Sequence, residues 1–163
     1  VPGTPPAARS AAGPRKAAVL GAGSWGTTFA KLLADSARET AHARHEPLAR
    51  TVVLWGRDAA AMDHVARTHV NDRYVPGIRL PERLAVTGDL AAAVRGADLV
   101  VLAVPAQSLR AQLPAVAALI GPDAVVLSLA KGLERDTGLR MSEVIAEELG
   151  RDTGLGAEHW RAR

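Results

Sequence analysis

Cysteine is absent from the chain, which excludes a disulfide framework and a thiolate zinc site. The fold is therefore indifferent to redox compartment. Aromatic side chains are few: one Phe, one Tyr and three Trp among 163 residues. That is thin material for stacking bases along a nucleic-acid surface. Lysine is scarce too, with only Lys16, Lys31 and Lys131; the rest of the 20 cationic side chains are Arg, scattered among 17 acids. The net charge of +3 makes no basic stripe, and its densest cluster, Trp160 to Arg163, sits at the tail. A solvated surface with no nucleic-acid partner is the expectation. No run approaches the roughly 18–20 apolar residues of a membrane span. The Pro/Ala-rich residues 1–15 contain no apolar segment of the kind a secretory signal needs, so they read as a disordered leader. A cytoplasmic protein without a membrane partner is expected.

What is present is Ala, Val and Leu, within a chain that is 48% apolar. Buried parallel strands alternating with Ala/Leu helices use that mixture. Apolar runs at 16–20, 51–55, 98–104 and 124–129 predict strands, with a short one at 84–87. Helices are expected from Trp25 to Asp35, with Phe29, Leu32 and Leu33 facing a sheet, from Asp58 to Thr68, and from Asp89 to Val94. Another should run from Gly138 to Leu149, capped by Asp136 or Thr137 and ended by Gly150. Ser36 to Arg50 reads as a long surface loop, and Asn71 to Pro81 as a turn-rich connection. Serial βα units predict one α/β domain, residues 16–150: a Rossmann-type, doubly wound parallel sheet covered on both faces. Residues 151–163 read as an irregular tail, in which Arg151 to Leu155 repeats Arg135 to Leu139 letter for letter.

The chemistry-bearing motif is Gly21-Ala-Gly-Ser-Trp-Gly26, a G-x-G-x-x-G directly after the first strand and opening the first helix. Gly21 suits the tight turn, Gly23 the close approach of a pyrophosphate, and Gly26 the close packing of helix on strand. Phosphates would sit at the helix N-terminus, where free N–H groups and the helix dipole favour negative charge. A nucleophile elbow and a phosphate-binding G-x-x-x-x-G-K-[ST] loop are both excluded by spacing. His42, His45 and Glu46 lie in a polar stretch and read as solvated surface, so no metal is expected.

The second strand ends Trp55-Gly56-Arg57-Asp58. An acid at this place accepts from a ribose 2′-hydroxyl and favours NAD, whereas an Arg accommodates the 2′-phosphate of NADP. With Arg57 first, the expectation leans to NADP with NAD tolerated; the competing reading leaves Arg57 facing solvent beside Asp58. Lys131 comes after the strand at 124–129, beyond the carboxyl ends where ligands bind. It either offers a point charge and three donors to a phosphate or a substrate oxygen, or reaches into water.

These residues resemble a family, bacterial NAD(P)-dependent glycerol-3-phosphate dehydrogenase. The resemblance runs through Gly21 to Thr27, Val53 to Asp58, Tyr74 to Ile78, Ala103 to Arg110, and Ser128 to Glu134 into Thr137 to Ser142. It implies interconversion of sn-glycerol 3-phosphate and dihydroxyacetone phosphate, with hydride passing to or from the nicotinamide, in the supply of glycerophospholipid precursors. By position it implies cofactor contacts at Ser24, Trp25, Arg57 and Tyr74, and at Lys131 a contact with both cofactor and substrate. The family's general base, a lysine of a second helical domain, has no counterpart, so no catalytic residue is assigned. The chain is expected to lack that domain and to be incompetent alone. Residues 36–50 also exceed the family's connection at this point. Another two-domain dehydrogenase, of the ketopantoate-reductase kind, would share the first motif but not the lysine-glycine block. A non-catalytic NAD(P)-binding module, or a remnant, is the alternative from outside enzymology.

Overall fold

β1 (Lys16–Leu20) is the middle strand of a five-stranded sheet. It is flanked by β2 (Thr51–Trp55) and β4 (Leu99–Leu102), both parallel to it, with Ala18 paired to Val53 on one side and Val100 on the other. β3 (Leu84–Thr87) extends the sheet beyond β2, and β5 (Val125–Ser128) extends it beyond β4. The order β3-β2-β1-β4-β5 reverses direction between β1 and β4. That reversal opens a crevice at the carboxyl edge, where doubly wound sheets bind ligands. The structure, a computed structural model, describes residues 15–39, 49 and 51–160.

The two-residue period of the strands divides the core into two layers. Ala17, Val19, Val52, Leu54 and Val101 face α1 (Ser24–Glu39) and α2 (Ala59–Thr68). Ala18, Leu20, Val53, Val100 and Leu102 face α4 (Ala106–Ala117) and α5 (Met141–Asp152). The short α3 (Leu90–Val94) joins the second layer, and Asp89 caps it by accepting from the N–H groups of Ala91 and Ala92. Lys16 closes the other end of α3, donating to the carbonyls of Ala92 and Arg95. It belongs to the amino edge of the sheet, away from the crevice.

Several boundaries differ from the sequence-based expectation. α1 runs to Glu39, so Ser36–Glu39 are helical rather than loop. Its buried stripe is Ala30, Leu33 and Ala34 with Phe29 partly covered, while Leu32, expected to face the sheet, is 60% exposed. The small side chains at 30 and 34 set the contact, and Leu32 falls beside that stripe. α4 has no counterpart among the expected elements. Pro105 and Pro114 obscure it, but Pro105 only precedes the first turn and Pro114 lies on the exposed side. Leu109, Leu113, Val116 and Ala117 are buried at helical spacing.

The sheet is covered on both faces only over β1, β2 and β4. At the edge strand β5, Val125 and Leu127 remain 36% and 37% exposed, while Val126 packs inward. α5 starts at Met141, not Gly138, because residues 133–140 turn back on themselves first. Gly150 lies inside α5 rather than ending it. It has a packing role there: a Cβ would meet the backbone of Ala157, where α6 (Ala157–Trp160) crosses. The tail is correspondingly less irregular than expected. α5 continues to Asp152, and Trp160 is 9% exposed with its indole N–H donating to Thr153 Oγ1 at 3.1 Å. The repeated pentapeptide adopts two conformations at its start, a turn at Arg135-Asp136 and the end of α5 at Arg151-Asp152, but turns alike at Thr-Gly-Leu. Thr137 and Thr153 each accept from the N–H two residues on, and Gly138 and Gly154 adopt φ of 68° and 72°. Residues 1–14 of the expected leader 1–15, residues 40–48, Arg50 and residues 161–163 lie outside the described residues, and His42, His45 and Glu46 with them.

Candidate functional site

The chain leaves β1 at Gly21, whose φ of 118° is closed to most side chains. β4 runs alongside, Ala103 N donating to Leu20 O at 2.8 Å, and a Cβ on Gly21 would stand 2.5 Å from the Ala103 carbonyl oxygen. Gly26 lies beneath the bend in the first turn of α1, and a Cβ there would overlap the Gly21 carbonyl oxygen. Gly23 is different. Nothing lies within 4 Å of the position its Cβ would take, and the residue borders the crevice. Two glycines thus let the strand, turn and helix close up, and the third leaves space in front of them. The first N–H groups of α1 have no partner within the helix and carry the positive end of its dipole into that space.

The crevice measures about 1030 Å³. Gly21, Gly23, Ser24, Trp25, Arg57, Tyr74 and Lys131, seven of the residues singled out from sequence, line it together; Gly26 is packed behind. Asp58 Oδ1 accepts from Ala61 N at 3.0 Å and caps α2. Arg57 is exposed at the mouth and forms no ion pair with any described residue. Lys131 is likewise exposed, its Nζ 5.6 Å from the centre of the Trp25 ring, and Trp25 is 72% exposed. That distance is within cation–π range.

Asn71 and Thr27, to which the sequence assigns no role, hold the wall of the site. Both are buried, and Asn71 Nδ2 donates to Thr27 Oγ1 at 2.8 Å and to the Ala22 carbonyl at 3.0 Å. Ser24 adds a bond from its hydroxyl to the Tyr74 carbonyl at 2.9 Å. The connection 71–81 is thereby fastened to the glycine turn, and Tyr74, 43% exposed beside Arg73, is brought to the crevice. A lone polar residue beginning a turn-rich stretch is the available signal for Asn71, and it is a weak one. Gln107 and Arg110 escape sequence reasoning for another reason: their partners lie 24 to 38 residues away, so nothing local marks them.

Among the described residues no group of three or more His, Cys, Asp or Glu side chains is placed to hold a metal ion. No described helix is long and apolar enough to cross a membrane.

Residues 16–157 match the family model described as NAD-dependent glycerol-3-phosphate dehydrogenase N-terminus. Glycerol-3-phosphate dehydrogenase (NAD(P)+) of Streptomyces coelicolor is 48% identical over 134 residues, 82% of this chain and 36% of that protein. The same-named protein of a Parafrankia species is 51% identical over 136 residues, 83% of this chain and 37% of the other. Among solved structures, glycerol-3-phosphate dehydrogenase from Coxiella burnetii superposes with a TM-score of 0.70 at 32% identity, covering 83% of this chain and 38% of that one. The yeast enzyme gives 0.72 at 29% identity, covering 84% and 40%. The chain spans little more than a third of the length of the relatives it matches. The lysine-glycine block and the 71–81 connection lie inside the matched region. This chain belongs to the NAD-dependent glycerol-3-phosphate dehydrogenase family and corresponds to its N-terminal part.

Proposed function

We propose that this chain is the cofactor-binding part of an NAD(P)-dependent sn-glycerol-3-phosphate dehydrogenase, with the dinucleotide pyrophosphate seated over Gly23 at the N-terminus of α1. The open space at Gly23, beside two glycines whose Cβ positions are filled, carries this reading. A bound nicotinamide dinucleotide supplies the hydride chemistry that no side chain of the protein can. The chain's own groups bind and orient. First-turn N–H groups of α1 offer donors to the phosphates, and Ser24, Trp25 and Tyr74 border them. Arg57, exposed at the mouth of the crevice and without an ion pair among the described residues, would meet the adenosine ribose, which favours NADP and tolerates NAD. Lys131 offers three donors to cofactor and to an oxygen of glycerol 3-phosphate or dihydroxyacetone phosphate. The setting proposed is the cytoplasm, in the supply of glycerophospholipid precursors, on the resemblance.

Titration of the 163-residue chain with NADPH, followed through Trp fluorescence, tests the reading. Saturable quenching is expected, and Gly23→Val should abolish it by filling the phosphates' approach while leaving the circular dichroism unchanged. Identical titration curves for the two proteins would place the cofactor elsewhere.

A further inference from the structure

Lys131 opens a segment without regular structure, anchored to the sheet through Leu129 N donating to Leu102 O. Beyond Gly132 the segment closes on itself: Glu134 N donates to Leu139 O, Gly138 N to Glu134 O, and Leu133 pairs with Arg140. These bonds shape the turn but tie it to nothing else. Ala130 and Leu139 pack against the core and Arg140 bonds Glu143 of α5, while the polar ties nearest Lys131 come from one face of α4. Gln107 clasps the backbone in both directions, Nε2 donating to Leu133 O at 2.9 Å and Oε1 accepting from Arg135 N at 3.1 Å. Three residues on, and so on the same face, Arg110 donates from Nε and Nη2 to the two carboxylate oxygens of Glu134, each at 2.8 Å.

The same guanidinium reaches α5, donating to Glu147 at 3.0 Å and to Glu148, a carboxylate only 2% exposed that Arg151 also holds. A bidentate pair fixes direction as well as distance. Its bond to Arg110, aided by the Thr137 hydroxyl, holds the Glu134 carboxyl down at about 2. Arg110 in turn titrates above the ordinary arginine range, chiefly through Glu134. α4 begins directly after Val104 and Pro105, which line the crevice. One helix therefore borders the crevice at its start and holds the lysine segment one turn further along.

We propose that Arg110 is a positioning residue for Lys131: clamped on Glu134, it holds the lysine's segment so that the ammonium stands against Trp25 over the crevice. This rests on the reading of Lys131 as a cofactor contact. Lysine carries four rotatable bonds, and ordering it before the ligand arrives removes part of the entropic cost of binding.

A double-mutant cycle on the 163-residue chain, with NADPH as the probe, separates positioning from mere stabilisation. Glu134→Gln loses the ion pair but leaves Arg110 to Glu147 and Glu148; Arg110→Met removes the clamp entirely. Each should weaken NADPH roughly threefold to tenfold, the size of one lost hydrogen-bonded contact, and by less than twofold when Lys131 is already Ala. The NMR signal of the Lys131 ε-methylene is expected upfield of its random-coil position in the parent, next to the Trp25 ring, and should move back toward it in both. Equal weakening with and without Lys131, or an unmoved ε-methylene signal, would overturn the proposal. If Arg110→Met does not fold, Glu134→Gln decides alone. Should Lys131→Ala itself leave NADPH affinity unchanged, the reading of Lys131 as a cofactor contact fails, and the methylene shift still decides whether Arg110 positions it.

Discussion

Asn71 and Thr27, 44 residues apart, share a 2.8 Å side-chain hydrogen bond with both residues buried. The second donor of the same amide goes to the Ala22 carbonyl inside the glycine turn. An amide suits this place because it faces a carbonyl oxygen and a hydroxyl oxygen at once. Asn71→Asp keeps the shape and removes both donors, setting a carboxylate against the Ala22 carbonyl. A loss of about 1–3 kcal/mol of stability is expected, measured by urea unfolding at neutral pH, together with weaker NADPH binding. A variant as stable as the parent would show that this bond does not hold the wall of the crevice.

Arg57→Asp tests the preference between cofactors. The change removes a charge-assisted donor at the strand end and adds a repulsion toward a 2′-phosphate. NADPH binding should weaken by an amount on the order of 1.5–3 kcal/mol, with NADH affected less. Paired titrations measure the ratio of the two affinities. An unmoved ratio would make Arg57 a solvent-facing residue and remove the basis for favouring NADP.

Glu134 confers a pH dependence on stability. Its carboxyl is lowered from an ordinary 4.5 to about 2, chiefly by the hydrogen bond from Arg110 and secondarily by that from Thr137. A carboxyl lowered by folding contributes stability that is complete above about 4.5 and lost as pH falls toward about 2. The stability difference between the parent and Glu134→Gln should therefore be constant from neutral pH down to about 5 and shrink below 4.5. Urea unfolding across this range measures it. A difference that persists unchanged near about pH 2.5 would mean that the Arg110–Glu134 pair is not what the variant lost.

The 163 residues should bind cofactor without turning over glycerol 3-phosphate or dihydroxyacetone phosphate. Hydride transfer needs a substrate held near the nicotinamide and a base within reach of its hydroxyl. Lys131 is one anchor, with binding of cofactor and substrate as its proposed work. Lys16 caps α3 at the opposite edge, and Lys31 pairs with Asp35 at 2.5 Å on α1. Asp58 caps α2, and Asp72 accepts from Gly77 N at 3.3 Å. NADPH oxidation with dihydroxyacetone phosphate should stay at background, and appear when a homologous second domain is fused after residue 157. Turnover by this chain unaided, lost in Lys131→Ala, would contradict the expectation.

The parts of this molecule that are legible in sequence are those whose causes are local. The glycine turn, the buried strands and the helices that follow Asp58 and Asp89 each announce themselves within a few residues. α4 is hidden because two prolines read as breaks, although Leu109, Leu113 and Val116 repeat at helical spacing. The start of α5 is displaced from Gly138 because Thr137-Gly138 forms a turn, where the left-handed Gly138 and the Leu133–Arg140 pairing hold the chain back until Met141. The clasp of Gln107 and Arg110 on the lysine segment and the Asn71 strut join residues far apart in the chain, and no local pattern predicts such pairs. The order inside the tail depends on packing as well, since Trp160 is held by Thr153 and by the close crossing at Gly150.

The most direct test of the account is where NADPH touches the chain, read from backbone amide shifts in a 15N NMR titration. Saturable shifts are expected, concentrated at residues 21–27, with smaller ones at Arg57, Tyr74 and Lys131, because the phosphates would take their hydrogen bonds from the first turn of α1. Shifts that leave residues 21–27 untouched, or that gather at the exposed edge of β5, would contradict the account.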